Sequence, residues 1–335
     1  MAADRPTVLF SRCLGFEACR YNGGVVAAPI VDALKPFVNA VAVCPEVSIG
    51  LGVPRAPIRL LDARGAVRLI QPETGVDVTS SMRAFTDDFL AGAGELYDGA
   101  VLKSGSPSCG IRDVKAYAGT ERGSASKRTS GFFGGGVADR LSGGAVEDEG
   151  RLRNFDIRDH FLTQLFARAR FRAVERHPEV GALVEFHSRH KLLLMAYSQV
   201  AMRELGRLVA NPARRARSGM VGEYRARFTA ALARPPRRGS AVNVLMHALG
   251  YVSERLTSRE KAFFLTTLEG YRAGNVPLTV PSSLMRSWII RFDVAYLAEQ
   301  VFFEPYPHRL MDELDSGKGR EVRYRERQSP PHLDR

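Results

Sequence analysis

Residues 7–15, Thr7-Val8-Leu9-Phe10-Ser11-Arg12-Cys13-Leu14-Gly15, form a β-rich apolar run that ends in a polar turn carrying a cysteine. The pattern recurs twice. Val41-Ala42-Val43 leads into Cys44-Pro45-Glu46-Val47-Ser48-Ile49-Gly50, and Ala100-Val101-Leu102 leads into Lys103-Ser104-Gly105-Ser106-Pro107-Ser108-Cys109-Gly110. In an open α/β sheet, ligands bind outside the carboxyl ends of the strands. Three thiols far apart in sequence can therefore meet at one place. That points to a metal or iron–sulfur centre with three protein ligands.

Around these runs the first half alternates short strands with helical patterns, which predicts an α/β domain built on a parallel sheet. Strands are expected at 7–10, 40–43, 58–61, 67–70 and 100–102. Helices are expected at 28–37 and 80–96, the second capped by Thr79 or Ser80. Residues 118–136, polar and glycine-rich, read as a mobile loop or lid. Residues 145–152 read as a hand-over, and from Asn154 the pattern is helical almost throughout. One such helix starts at Val280-Pro281-Ser282-Ser283 and is expected to run through Trp288 to Gln300. The expected organisation is an α/β domain over 1–150, an all-α domain over 151–315 and a charged, disordered tail over 316–335.

Composition narrows the class. The 335 residues are 45% hydrophobic and 25% charged, as in ordinary globular proteins. No apolar run approaches the roughly 18 residues of a membrane span, and the first residues lack the pattern of a secretory leader. A cytoplasmic protein is expected, with no membrane partner and no protein partner implied. Four cysteines are too few for a disulfide framework. The net charge of +12 is uneven: residues 1–150 carry 16 Lys and Arg against 17 Asp and Glu, the remainder 32 against 19. A basic half beside a neutral one suggests that one holds a polyanion while the other does chemistry. Arg214, Arg215, Arg217, Arg225, Arg227, Arg234, Arg237 and Arg238 form a dense run suited to phosphate contacts, about half of them expected in ion pairs with carboxylates such as Glu204 and Glu223. Lys191 shares a helix face with His187, as an RNA-facing strip or a helix–helix contact.

Glu46 lies two residues from Cys44. A carboxylate partly desolvated beside an anionic centre has its pKa raised, as general acid–base chemistry near neutrality requires. The small residues and hydroxyls around Cys109 let main chain and donors approach an inorganic cluster closely. Cys19, six residues beyond Cys13, fits no known ligand spacing and reads as a packed thiol. Arg20, Tyr21 and Asn22 either line a pocket mouth or close a turn.

The motifs Arg12-Cys13-Leu14-Gly15, Cys19-Arg20-Tyr21-Asn22-Gly23-Gly24, the run from Cys44 to Ile58 and Leu102 to Gly110 resemble the thiouracil desulfidase family, with its iron–sulfur domain, over about residues 6–150. The runs from Phe186 to Ser198 and Asn243 to Tyr251, with Tyr271–Gly274 and Pro277–Arg286, resemble the YbgA-like helical domain often fused to it. The resemblance implies a 4Fe–4S cluster on Cys13, Cys44 and Cys109, with one iron left open for the sulfur of a thiolated pyrimidine. It implies Glu46 as the catalytic glutamate and a serine of the third motif, Ser106 ahead of Ser108 and Ser104. Arg12 departs from the small residue that many relatives carry before the first cysteine. Two-domain members are implied to convert 4-thiouridine in tRNA to uridine, hydrolytically and with release of sulfide. The rivals are a desulfidase of free thiouracil or thiouridine, a non-catalytic iron–sulfur RNA-binding sensor and a zinc protein.

Overall fold

The structure, a computed structural model, describes residues 5–63, 65–93, 97–121, 123–177, 179–210 and 217–312. Among the described residues, eight strands lie in the first half: β1 Thr7–Ser11, β2 Asn39–Val43, β3 Arg59–Ala63, β4 Ala66–Ile70, β5 Gly99–Leu102, β6 Val114–Tyr117, β7 Ser126–Thr129 and β8 Ala145–Asp148. Four helices accompany them: α1 Pro29–Leu34, α2 Pro45–Ser48, α3 Thr79–Ala93 and α4 Phe132–Arg140. From there the described chain is helical: α5 Phe155–Arg176, α6 Val180–Tyr197, α7 Gln199–Ala210, α8 Arg217–Leu232, α9 Arg238–Val252, α10 Ser258–Ala273, α11 Thr279–Phe292, α12 Ala295–Ala298 and α13 Arg309–Asp312. The α/β half and the helical half are thus both present.

The first sheet runs β2-β1-β5-β8, and every pair in it is parallel. Leu9 faces one layer and Val8 and Phe10 the other, because side chains alternate along a strand. Leu9, Ala100 and Leu102 pack with Phe133 and Val137 of α4. Val8, Phe10 and Val101 pack with Ile30, Val31 and Leu34 of α1 and with Phe161, Leu162, Leu165 and Phe166 of α5. Helix α5 is shared: its later residues Ala167, Phe171 and Val174 belong to the core of the helical half. Asn154 caps α5, its Oδ1 accepting the Ile157 N–H at 3.1 Å. Tyr306 and Leu310, near the end of the described chain, return to the sheet side of the same helix.

Four expectations change. Strands β3 and β4 leave the parallel sheet for a second one, ordered β4-β3-β6-β7. Ala63 pairs with Ala66 across a two-residue connection, with Gly65 at φ 91°. So short a connection makes an antiparallel hairpin, never a parallel crossover. The segment read as a lid contains β7 and the start of α4. Strand β7, Ser-Lys-Arg-Thr, is a charged edge strand with its side chains largely in solvent, so hydrophobic alternation cannot reveal it. Residues 145–148 of the hand-over are β8, the outer strand of the parallel sheet. The last long helix stops at Phe292, where Asp293 adopts φ 49°, and α12 follows separately. The tail over 316–335 lies outside the described residues.

The helical core carries three histidines in contact with apolar and phenolic neighbours. His160 Nδ1 meets Tyr197 Oη and His187 Nδ1 meets Tyr224 Oη, each at 3.0 Å. His190 Nδ1 donates to the Phe186 carbonyl at 2.8 Å, so its buried Nε2, without a partner among the described residues, is bare. Burial pushes His160 down to about 4. Burial, then the nearby Arg170, pushes His190 down to about 3. Burial, with Lys191 alongside, also lowers His187. The unfolded chain therefore binds protons near the free histidine pKa of about 6.5, while the fold does not. Stability is full above that pH and falls as pH drops from about 6.5 towards 4. Urea unfolding at pH 7.5 and pH 5 checks this: the midpoint is lower at pH 5, and His160→Phe weakens the dependence.

Candidate active site

The crevice at the carboxyl ends of β1, β2 and β5 is where the sheet reverses its order, since β2 and β5 flank β1 on opposite sides. A cavity of about 230 Å³ opens there, lined by Cys13, Cys19, Cys44 and Cys109 together with Glu46, Arg55 and the loop 103–108. Cys13 follows β1 by two residues, and Cys44 follows β2 directly as the residue ahead of α2. Cys109 ends the loop that leaves β5. Cys19, Cys44 and Cys109 are buried and Cys13 half-buried; none is in a disulfide. The structure thus brings the three expected thiols to one cavity, and adds Cys19 to its wall. Among the described residues no three His, Cys, Asp or Glu side chains converge as the ligands of a single metal ion would.

Burial, then the Cys44 thiol, pushes Cys13 up to about 11, against the pull of Lys103 and Arg20. Burial and Cys44 push Cys19 up to about 12. Burial likewise raises Cys109, although the Ser11 hydroxyl pulls the other way. Desolvated soft donors of this kind become thiolates when a cation compensates them. The donor set therefore fits a metal-containing group with affinity for sulfur.

Glu46 stands on α2, one turn of helix. Its Oε2 takes the Arg55 Nε–H at 2.8 Å and pairs with Arg55 Nη2 at 2.7 Å. The Arg55 side chain is only 4% exposed, so this is a buried ion pair rather than a surface one. Arg55 Nη1 also donates to the carbonyls of Cys19 and Gly52. The partly desolvated carboxylate that the sequence suggested thus has a cation against it, which the sequence did not indicate. Ser108 Oγ donates to Glu46 Oε1 at 2.7 Å, and Ser106 Oγ lies 3.0 Å from Ser108 Oγ. Ser106 Oγ accepts the N–H groups of Ser108 and Cys109. Since Ser108 spends its proton on the carboxylate, Ser106 must donate to Ser108. The hydroxyl chain thus points one way, from Ser106 at the cavity wall inward to Glu46.

Ser104 is turned elsewhere. Its Oγ and N–H both donate to Glu149, whose carboxylate also pairs with Lys103 at 2.6 Å. Burial alone pushes Glu149 up, but Lys103 and the Ser104 donors outweigh it and hold its carboxyl below the usual range. Sequence reasoning missed both Arg55 and Glu149. Arg55 lies inside the run from Cys44 to Ile58 that carries the resemblance but was given no role of its own, and Glu149 lies in what read as a domain hand-over. Tyr21 is exposed at the mouth and Arg20 half-buried, while Asn22 closes a turn by accepting the Gly24 N–H. Arg12 pairs with Glu17 at 3.5 Å.

The glycines after β7 explain how the Cys109 loop is held. The N–H groups of Gly131, Phe132 and Gly134 donate to the carbonyls of Gly110, Pro107 and Ser108. So close an approach leaves no room for side chains: a Cβ on Gly134 would stand 2.2 Å from the Cys109 carbonyl oxygen. The end of the segment expected to cover the site instead packs against the Cys109 loop.

Several basic residues of the helical half are ion-paired. Arg225 pairs with Glu175 at 3.4 Å, and Arg227 with Glu204 and Glu223. Arg237, Arg238 and Lys191 are exposed, with Arg238 over the Tyr271 ring. Arg214 and Arg215 lie outside the described residues, as does the Arg217 side chain. His187 makes a helix–helix contact with Tyr224 rather than a solvent-facing strip. A second cavity, of about 460 Å³, lies between the halves and is lined by Arg140, Arg168 and Arg225.

The profile of the 2-thiouracil desulfurase family matches residues 8–149, and that of a family of unknown function, DUF1722, matches residues 191–307. Uncharacterized protein YbgA of Escherichia coli (strain K12) is 32% identical over 168 residues, covering 50% of this chain and 98% of that protein. Uncharacterized protein YbbK of Bacillus subtilis (strain 168) is 37% identical over 122 residues, covering 35% of this chain and 80% of that protein. Among solved structures, a [4Fe-4S]-dependent thiouracil desulfidase, TudS, aligns at 29% identity over 44% of this chain and 93% of its own, with a TM-score of 0.35.

Gly134→Ala is expected to push the Cys109 loop off α4. In the metal-free protein, thiol labelling of Cys109, slow while it is buried, accelerates in that variant, and the thermal midpoint falls.

Proposed function

The chain belongs to the 2-thiouracil desulfurase family, with that domain fused to a YbgA-like domain of the DUF1722 family, and from this premise we propose that it is a desulfidase converting 4-thiouridine in tRNA to uridine. The observation that carries the reading is the single cavity at the strand ends, in which three thiols face a one-way hydroxyl chain ending on a glutamate. In this reading Cys13, Cys44 and Cys109 hold a 4Fe–4S cluster. Such a cluster supplies, when bound, a Lewis-acidic iron with affinity for a thiocarbonyl sulfur.

The chain's own residues handle the proton. Water attacks the thiocarbonyl carbon and gives a proton to Ser106. Ser106 passes its own to Ser108, and Ser108 passes one to Glu46 Oε1. Water supplies the oxygen of the new C=O group, its second proton goes to the departing sulfur, the C=S bond breaks, and sulfur leaves as hydrosulfide. No electrons are exchanged. Arg55 stabilises Glu46 while it is a carboxylate, and Lys103, held by Glu149, keeps a positive charge at the cavity wall. A base buried in an RNA stack must leave it to enter such a cavity, at a cost of a few kcal/mol that backbone contacts offset. The exposed Arg237, Arg238 and Lys191, and the arginine-lined cavity between the halves, support a phosphate-bearing substrate. In this reading Arg225, and by their place in the same run Arg214, Arg215 and Arg217, are phosphate-contacting residues.

A second reading, desulfuration of free thiouracil or thiouridine, has one observation in its favour. The match to YbbK takes up 80% of that protein and only 35% of this chain, so that relative is too short to hold both units.

Anaerobic reconstitution with iron and sulfide, then incubation with tRNA containing 4-thiouridine, tests the proposal. Loss of the thio-base absorbance with stoichiometric sulfide release is expected, and an unchanged band with intact cluster overturns it. Glu46→Ala and Ser106→Ala are each expected to lower turnover by roughly 10²–10⁴-fold, the usual scale of general acid–base catalysis, with iron content retained. Replacing Arg237 and Arg238 by Glu weakens tRNA binding and leaves turnover of free thiouracil unchanged; equal loss on both substrates counts against tRNA.

A further inference from the structure

We propose that Arg55 is a positioning residue for the desulfidase reaction, acting through Glu46; the inference rests on the reading above. Helix α2 is four residues long, too short to hold a flexible glutamate by itself. A glutamate free to rotate offers either oxygen, in several rotamers, to whatever donor is near. Arg55 removes that freedom. Its Nε and Nη2 both engage Oε2, at 2.8 and 2.7 Å, which leaves Oε1 as the oxygen that meets Ser108.

The remaining guanidinium nitrogen extends the effect. Nη1 donates to the Cys19 carbonyl at 3.0 Å and to the Gly52 carbonyl at 2.9 Å. The Arg55 N–H itself donates to the Tyr21 carbonyl at 2.8 Å. One planar cation therefore joins three parts: the glutamate on α2, the turn at Gly52, and the loop of Cys19 and Tyr21 that forms one wall of the cavity. The Cys44 Sγ lies 3.9 Å from the same Cys19 carbonyl, so the wall that Arg55 secures also touches a proposed ligand. Lysine cannot do this. An ammonium is a compact charge on a flexible stem and lacks the rigid fork that reaches a carboxylate and two carbonyls at once.

The polarity of the hydroxyl chain follows from the same contact. With Oε2 occupied by the cation, Oε1 is the acceptor for Ser108, and the order Ser106 to Ser108 to Glu46 is set before any substrate enters. Without Arg55, Glu46 would be a buried carboxylate lacking its cation, free to turn towards other donors, including the backbone of its own turn.

Two coupled measurements test this. The first is turnover of the thiolated substrate by the reconstituted proteins: wild type, Arg55→Met, Arg55→Lys, Glu46→Gln and the double variant Glu46→Gln/Arg55→Met, with iron and sulfide counted in each. Arg55→Met is expected to lower kcat about 100-fold, with KM changed by less than about threefold and iron content retained. Arg55→Lys restores little of it. In the Glu46→Gln background the Arg55 substitution costs less than about threefold more, because both changes disable one unit. The second measurement uses the iron-free chain and needs no turnover: the shifts in urea midpoint for the two single variants and the double variant are non-additive. The neutral pair in the double variant keeps the test readable should Arg55→Met alone fold poorly.

Wild-type turnover in Arg55→Met, or effects that multiply in the double variant, overturns the inference while the desulfidase reading stands. Full turnover in Glu46→Gln, or an inactive wild type with intact cluster, overturns the functional reading itself and this inference with it.

Discussion

Strand β1 pairs in parallel with both β2 and β5, and the rest of the α/β half depends on that arrangement. Parallel neighbours cannot be joined by tight turns, so the chain must cross over a face of the sheet each time. The loops leaving all three strands consequently emerge at the same edge. Because β2 and β5 lie on opposite sides of β1, those loops diverge and a crevice opens between them. Cys13, Cys44 and Cys109 share a cavity for this reason alone, since 31 and 65 residues separate them along the chain.

Within the crevice, charge is paired rather than left bare. Glu46 is matched by Arg55 and Glu149 by Lys103, both pairs largely withdrawn from solvent. Separating two charges from water is costly unless geometry and additional hydrogen bonds compensate, and removing one partner of such a pair is strongly destabilising. Each pair here is supplemented: Ser108 donates to Glu46, and the Ser104 N–H and hydroxyl donate to Glu149. Fixed acceptors and donors of known direction are what a site moving protons needs. The same network ties the loops after β2, β5 and β8 to one another.

Helix α5 joins the two halves without a flexible connection. It buries Phe161 and Leu165 against the parallel sheet and Phe171 and Val174 in the helical core. Its Arg172 pairs at 2.6 Å with Asp98, the residue just ahead of β5, whose Oδ2 also accepts the Thr7 N–H. Burial raises the Asp98 pKa, with Thr7, Arg172 and two more arginines of α5 opposing it. The helical half is thus anchored at the amino ends of the strands, opposite the cysteine crevice.

The amino-acid sequence by itself determined the parts that depend on local pattern. Strands 7–10, 40–43 and 100–102, the helices between them, the helical second half and the three strand-end cysteines are legible because apolar periodicity and turn residues act over a few positions. Glu46 and Ser106 were singled out through the motifs that carry them, and both line the same cavity. What only the tertiary structure decided involves partners distant in sequence or groups without an apolar signature. The polar edge strand β7 is held by backbone pairing, which no side-chain pattern encodes. The hairpin of β3 and β4 joins a second sheet through β6, a choice made by packing. Arg55 lies within a motif run, but nothing in the run names its partners, and only folding brings its guanidinium against Glu46 and the Cys19 carbonyl. Electrostatic and hydrogen-bond partnership is set by distance in space, and sequence separation does not report it.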